Sequence, residues 1–292
     1  MRYEALSHVV LPVPGPGIAA AHERLGLRVG PQTRLIDASL THRTLSVGGA
    51  GNLFQVEFLS VDPMNLPMTP LATRLSEAVF EGGGLFAVAL RVADLGAALK
   101  ELAGRGVVPR SQGELREGGK AVGGVALLGE QERAGTNLLL VQHAQAARHR
   151  HAALHKAGLL AHDFPLRRLD HLAVITRDLE AQTRFWADVL GVPPAGEVRT
   201  PTLVIRQLRV GDAVLELLGP ASADSPLRQR PPGLISMASW EVADLDAAAE
   251  QARHAGFTVS DPAPGALPRS RTATIPGAEL GGLTMQLLQY VG

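Results

Sequence analysis

The chain has 292 residues with 46% hydrophobic and 19% charged composition, zero formal net charge and no cysteine. That length allows about two domains with real cores. The balanced charge gives no reason to expect nucleic acid or an anionic membrane as partner, and the missing cysteines exclude disulfides, thiolate zinc sites and thiol nucleophiles.

No apolar run reaches the roughly 20 residues of a membrane span. The opening Met1-Arg-Tyr-Glu-Ala lacks the apolar core of a secretion signal. The expectation is a cytoplasmic monomer or homodimer whose partner is a small molecule.

In chain order, the first strand signal is Leu6-Ser-His-Val-Val-Leu, followed by a Pro/Gly turn and a helix over Ile18–Leu25 that stops at Gly26. Thr41-His-Arg-Thr-Leu-Ser-Val and Gln55-Val-Glu-Phe-Leu then flank a glycine-rich turn at 48–52. Arg91-Val-Ala-Asp-Leu ends a strand and opens a helix over Leu95–Ala103, with Gly104 or Gly106 as its stop.

The segment His143–Arg168 breaks this rhythm. Its alanine-rich stretch Ala146–Leu160, with His149, His151 and His155, reads as a solvated connecting helix. The rhythm then restarts at Leu169-Asp-His-Leu-Ala-Val, with a helix over Leu179–Leu190. Strands over Thr202–Val210 and Ala213–Leu218 flank the hairpin dipeptide Gly211-Asp212. A further strand at Leu234–Val242 and a helix at Leu245–Ala255 repeat the strand–Asp-Leu–helix signature. Asp94, Asp178 and Asp244 stand where side chains accept the free N–H groups of a first helical turn.

The chain therefore says the same thing twice, and each half is itself doubled. The reading is α+β: four β-α-β-β-β modules in two tandem domains, 1–145 and 168–292, joined by a helical linker over 146–167. Each domain opens with a histidine in a strand, His8 or His171, and carries a glutamate in a later strand, Glu57 or Glu216. A recurring His and Glu at inward strand positions points to a pocket.

This organisation resembles the vicinal oxygen chelate superfamily, which includes glyoxalase I, extradiol dioxygenases and bleomycin-resistance proteins. The most specific match is Leu169-Asp-His-Leu-Ala-Val-Ile-Thr-Arg-Asp-Leu-Glu-Ala-Gln-Thr-Arg-Phe-Trp-Ala-Asp-Val-Leu-Gly-Val. The resemblance implies paired modules curled around a cleft that holds a divalent ion (iron, manganese, nickel or zinc) on first-strand histidines and last-strand glutamates. Carried over by position, His171 and Glu216 match, while Met237 and Gln286 replace the second pair. In the first half His8 and Glu57 match, and Ala87 and Leu139 replace their counterparts. Neither half keeps the full ligand set. A three-residue set is the usual minimum for reactive iron, so the implied metal site is degenerate, with His171, Glu216 and Gln286 its best remnant.

Without metal, His171 and Glu216 form an acid–base pair suited to isomerisation. Met237, Trp240 and Gln286 are the candidate ligand contacts beside them. Trp240 is either a flat wall for a planar ligand or outward-facing core. His8, Glu57 and His42 are candidate contacts in the first half, which is expected to be the more degenerate, with Glu57 partnered by His8 or His42. Two functions stay open. One is a glyoxalase-like protein that binds a small oxygenated or planar molecule. The alternative is a metal-dependent lyase, isomerase or dioxygenase.

Overall fold

The computed structural model describes residues 2–15, 17–81, 84–117 and 119–291. The first half runs β1 (Tyr3–Pro12), α1 (Ile18–Arg24), β2 (Thr33–Leu35), β3 (Leu40–Val47), β4 (Phe54–Val61), α2 (Pro70–Glu81), β5 (Ala87–Val92), α3 (Leu95–Ala103), β6 (Ser111–Glu117), β7 (Lys120–Gly129), α4 (Gln131–Ala134) and β8 (Asn137–His143). A connecting helix, α5 (Ala147–Lys156), leads to the second half. There β9 (Leu166–Ile175), α6 (Leu179–Arg184), β10 (Pro194–Arg199), β11 (Leu203–Val210), β12 (Ala213–Pro220), β13 (Gly233–Val242), α7 (Leu245–His254), β14 (Ala263–Pro264), β15 (Ser270–Ile275) and β16 (Thr284–Tyr290) repeat the order.

Each half forms one curled eight-stranded sheet, in the orders β2-β3-β4-β1-β5-β8-β7-β6 and β10-β11-β12-β9-β13-β16-β15-β14. Within a module the first and last strands pair in parallel, β1 with β4 and β9 with β12. The two modules of a half join through antiparallel first strands, β1 with β5 and β9 with β13. The fold is thus four β-α-β-β-β modules in two tandem halves. No helix among the described residues is long and apolar enough to cross a membrane.

Local chemistry accounts for the elements. Asp94, Asp178 and Asp244 each accept the backbone N–H three residues on, at 2.9–3.0 Å, which satisfies a donor that a helix start leaves open. The helix read over Leu179–Leu190 is less regular than the sequence implies: α6 passes into a π-helical turn over Phe185–Val189. Gly211 turns the β11–β12 hairpin at φ 63°, and a Cβ there would lie 2.9 Å from the Glu4 carbonyl oxygen in the other half.

Strand alternation splits each sheet into two faces. Val9 and Leu11 of β1, Phe54 and Val56 of β4, Leu172 and Val174 of β9, and Trp240 of β13 all belong to one shared hydrophobic core. That core welds the halves: the Phe54 and Trp240 rings meet edge-on at 5.8 Å, and Trp186 Nε1 donates to the Ala134 carbonyl at 3.2 Å. The opposite face of the first sheet carries a second, smaller core. There Leu71, Ala72 and Leu75 of α2 pack on Val10, Leu59, Ala87, Ala89 and Leu139. The sequence reading had no helix at α2. Its signal was present in Pro70 at the helix start and apolar residues at Leu71, Leu75 and Ala78. The corresponding connection in the second half carries only a short 3₁₀ turn, Pro226–Gln229.

Candidate functional site

The inner faces of the two sheets carry the repeated His and Glu. In the first half His8 on β1 pairs in register with Gln55 on β4, and Glu57 lies two residues beyond. In the second half His171 pairs with Val214, and Glu216 again lies two residues beyond. An even spacing keeps both side chains on one face of the sheet.

A bulge recurs just before each histidine. The β1–β5 register slips between Leu6 and His8, leaving Ser7 unmatched. The β9–β13 register slips between Leu169 and His171, leaving Asp170 unmatched. A bulged residue escapes strict alternation, so Asp170 can turn onto the ring beside it. His171 Nδ1 lies 2.8 Å from Asp170 Oδ2, and Tyr290 Oη donates to the same carboxylate at 3.1 and 3.2 Å. The weaker equivalent in the first half is His8 Nδ1 to Ser7 Oγ at 3.3 Å. Ser7 and Asp170 were not singled out from the sequence, although the repeat Leu-Ser-His and Leu-Asp-His placed them there.

In the second half His171 Nε2 stands 3.8 Å from Glu216 Oε2, and Gln207 donates to Glu216 Oε1 at 3.1 Å. Burial lowers the pKa of His171, but the Asp170 hydrogen bond and the Glu216 charge outweigh it and raise the net value. Burial raises the Glu216 carboxyl, and His171 and Gln207 offset this only in part. Burial would also raise Asp170, but His171, helped by Arg168 and Tyr290, outweighs it and holds it low. The stable ion pair is therefore Asp170 with protonated His171, and Glu216 is the easier carboxylate to protonate.

The remaining candidates of that half divide by face. Met237 and Gln286 are half-buried on strands whose alternate residues form the inner face. Ser239, directly opposite His171 in register, donates to Gln286 Oε1 at 2.7 Å. Trp240 does not line the cleft. It is fully buried in the shared core, because alternation puts residues 238 and 240 on the face opposite 237 and 239. Of the two readings left open for Trp240, its burial fits core packing and not a ligand contact.

In the first half three candidates converge. Glu57 is flanked by His8 Nε2 on one oxygen and His42 Nδ1 on the other, each at 3.6 Å. Burial alone would raise the Glu57 carboxyl, but His42 first and then His8 hold it below the ordinary carboxylate range. Burial pushes His8 down; Glu57 opposes this, and Arg150 and His42 reinforce it. At neutral pH Glu57 is ionised and His8 neutral.

These groups line a cavity of about 320 Å³, together with Gln55, Thr44, His143 and Arg150. Its apolar walls include Leu35, Leu115, Val122, Leu154 and Leu159. The linker helix α5 covers it, so α5 is not a bare solvated spacer. Arg150 on α5 donates to Gln55 Oε1 at 2.9 Å. Beyond α5, His162 bridges the Arg28 N–H at 2.9 Å and the Ser46 carbonyl at 2.8 Å. A wider groove of about 1090 Å³ runs past Arg2, Glu4, Arg91, Pro194 and Arg209 between the halves. It is open, and Arg91 and Glu4 neutralise each other within it at 2.9 Å, so it lacks the enclosure of a small-molecule site.

The residues of the second half do not fit a resident divalent ion. Among the described residues no group of three or more His, Asp or Glu is arranged to hold a metal. His171 places its two carboxylates on opposite ring nitrogens, and the Gln286 oxygen is engaged by Ser239. Ala87 and Leu139 are packed in the smaller core of the first half and offer no donor.

Residues 170–273 match the family model of the Glyoxalase/Bleomycin resistance protein/Dioxygenase superfamily. No curated protein matches the chain. A substituted 4-hydroxymandelate synthase from Streptomyces coelicolor aligns over 100% of this chain and 95% of its own, at 15% identity and a TM-score of 0.65. That likeness is one of fold. Methylmalonyl-CoA epimerase from Mycobacterium tuberculosis aligns with 44% of this chain and 92% of its own, at 23% identity and a TM-score of 0.40. A Streptomyces coelicolor methylmalonyl-CoA epimerase variant aligns with 44% and 96%, at 24% identity and a TM-score of 0.39.

Proposed function

We propose that this chain, a member of the Glyoxalase/Bleomycin resistance protein/Dioxygenase superfamily through residues 170–273, binds a small oxygenated molecule in the cleft of its first half. The observation that carries this reading is the cavity of about 320 Å³ lined by His8, His42 and Glu57 together with aliphatic side chains. Its volume falls at the small end of the range for ligand sites, with a few polar groups converging in an apolar setting. The sequence reading favoured the second half as the working one. The structural support now favours the first, because α5 lines a cavity there that holds the polar groups.

A second reading has its own support. An ionised Glu57 beside a neutral His8 is a base next to a group that can give or take a proton. Such a pair suits an isomerisation in which a proton leaves one ligand atom and returns to another. Lyase or dioxygenase chemistry on a metal in the second half has less support, because the Gln286 oxygen is engaged by Ser239 there.

A thermal-shift screen of small oxygenated compounds, followed by calorimetry on the hits, tests the site. Glu57→Gln should weaken binding at least about tenfold, the scale of one charged hydrogen bond, while Glu216→Gln leaves it unchanged. The reverse pattern would move the site to the second half. The isomerase reading requires deuterium uptake from D2O into the bound compound, lost in Glu57→Gln.

A further inference from the structure

We infer that His151 and His155 form a surface site for a divalent transition-metal ion, and that this ion clips α5 in its helical form beside the cavity. The site is separate from the strand positions His8, Glu57, His171 and Glu216.

The spacing supplies the two donors. Residues four apart on a helix stand one above the other on the same face, so His151-Ala-Ala-Leu-His155 presents two imidazoles from consecutive turns. Their rings stack, with centroids 6.4 Å apart and planes 27° from parallel. His155 is exposed and His151 half-buried, so solvent reaches the pair. Other surface histidines are placed differently. His149 lies against Arg148 at 3.4 Å, and His254 on α7 faces Glu250 at 3.5 Å. Two histidines at this helical spacing are the chelating pair of the helical zinc motifs.

The neighbourhood selects the ion. Residues 146–160 contain Arg148, Arg150 and Lys156 and no Asp or Glu. Calcium and magnesium are held by oxygen donors, carboxylates above all, and find none on this helix. Imidazole alone suits copper(II), nickel(II) and zinc(II), with copper(II) the tightest. Water completes the coordination of an ion held by only two rings.

Such a clip acts on a helix that needs one. α5 has ten residues, no side-chain cap at its start and no buried residue. A helix this short is marginal by itself. Ala153 and Leu154, which lie between the two histidines in the chain, line the cavity. An ion that requires both rings binds the helical form and not the frayed one, and so stabilises it by mass action. Order in this wall of the cavity then depends on the ion.

Calorimetry of the untagged 292-residue chain with copper(II), nickel(II), zinc(II) and magnesium chlorides tests the site. Copper(II) should bind saturably, nickel(II) and zinc(II) more weakly, and magnesium not measurably. His151→Gln and His155→Gln should each weaken copper binding at least about tenfold, while His149→Gln and His254→Gln leave it within about twofold. The double change His155→Lys with Lys156→His keeps the composition and moves one ring off the shared face. It should weaken binding as much as His155→Gln does. Thermal melts without metal establish that each variant is folded. Hydrogen exchange reads the clip. At a copper concentration about ten times Kd, exchange across Ala147–Lys156 should slow about tenfold in the parent chain and stay unchanged in His155→Gln. Absence of saturable binding, or binding that survives the changes at residues 151, 155 and 156, overturns the site. Saturable binding that leaves exchange across α5 unchanged overturns the clip.

Discussion

Asp170 holds the Nδ1 of His171, its immediate neighbour in the chain, at 2.8 Å. Neighbours in a regular strand point to opposite faces. The bulge at Asp170 is what allows the contact, and it makes Asp170 a positioning residue for the imidazole that faces Glu216.

The first expectation concerns that contact. Asp170→Asn removes the charge that, with Glu216, outweighs burial at His171. The His171 pKa should then fall from above its ordinary value to below it, since burial is the largest influence and would be opposed by Glu216 alone. Two-dimensional NMR of the imidazole resonances across pH 4–9 would follow the change. A pKa that stays raised would assign the whole effect to Glu216.

Acid sensitivity follows from His22. It is fully buried, its ring lies 4.7 Å from that of Phe58, and burial pushes its pKa down to about 4. Between about pH 6.5 and pH 4 the unfolded chain binds this proton and the folded chain does not. Stability is therefore full above 6.5 and declines as pH falls through that window, by about 1.4 kcal/mol per pH unit for one such group. His8 and His143, also lowered, act in the same direction. His22→Phe should flatten the dependence by one group's share, measured by urea unfolding at pH 7 and pH 5. An unchanged slope would show that His22 is already charged in the folded protein.

The shared core predicts joint unfolding. Trp240 is fully buried and meets Phe54 of the other half. Trp240→Ala should cost on the order of 3–5 kcal/mol through lost packing and a cavity. The loss should shift a single transition seen by circular dichroism and by the remaining Trp186 fluorescence. Two separate transitions, with only the second half shifted, would mean that the halves fold independently.

The sequence by itself determined the modules. Strand–Asp-Leu–helix repeats are local signals: an N-cap carboxylate, a stop glycine and an apolar period are decided within about a dozen residues. The inner-face positions of His8, Glu57, His171 and Glu216 followed from the same local period of two. Only the tertiary structure decided which cleft encloses a cavity. That depended on α5 packing against the first sheet, and helix docking reports long-range complementarity that no local pattern encodes. The face taken by Trp240 was equally undecided, because register and bulges set it through pairing between β9 and β13. His143 and Arg150 lie either side of the sequence boundary between domain and linker, where composition reads as solvated spacer. Arg150 reaches the surroundings of His8 only because α5 folds back against the first sheet, while His143 arrives on β8 of that sheet.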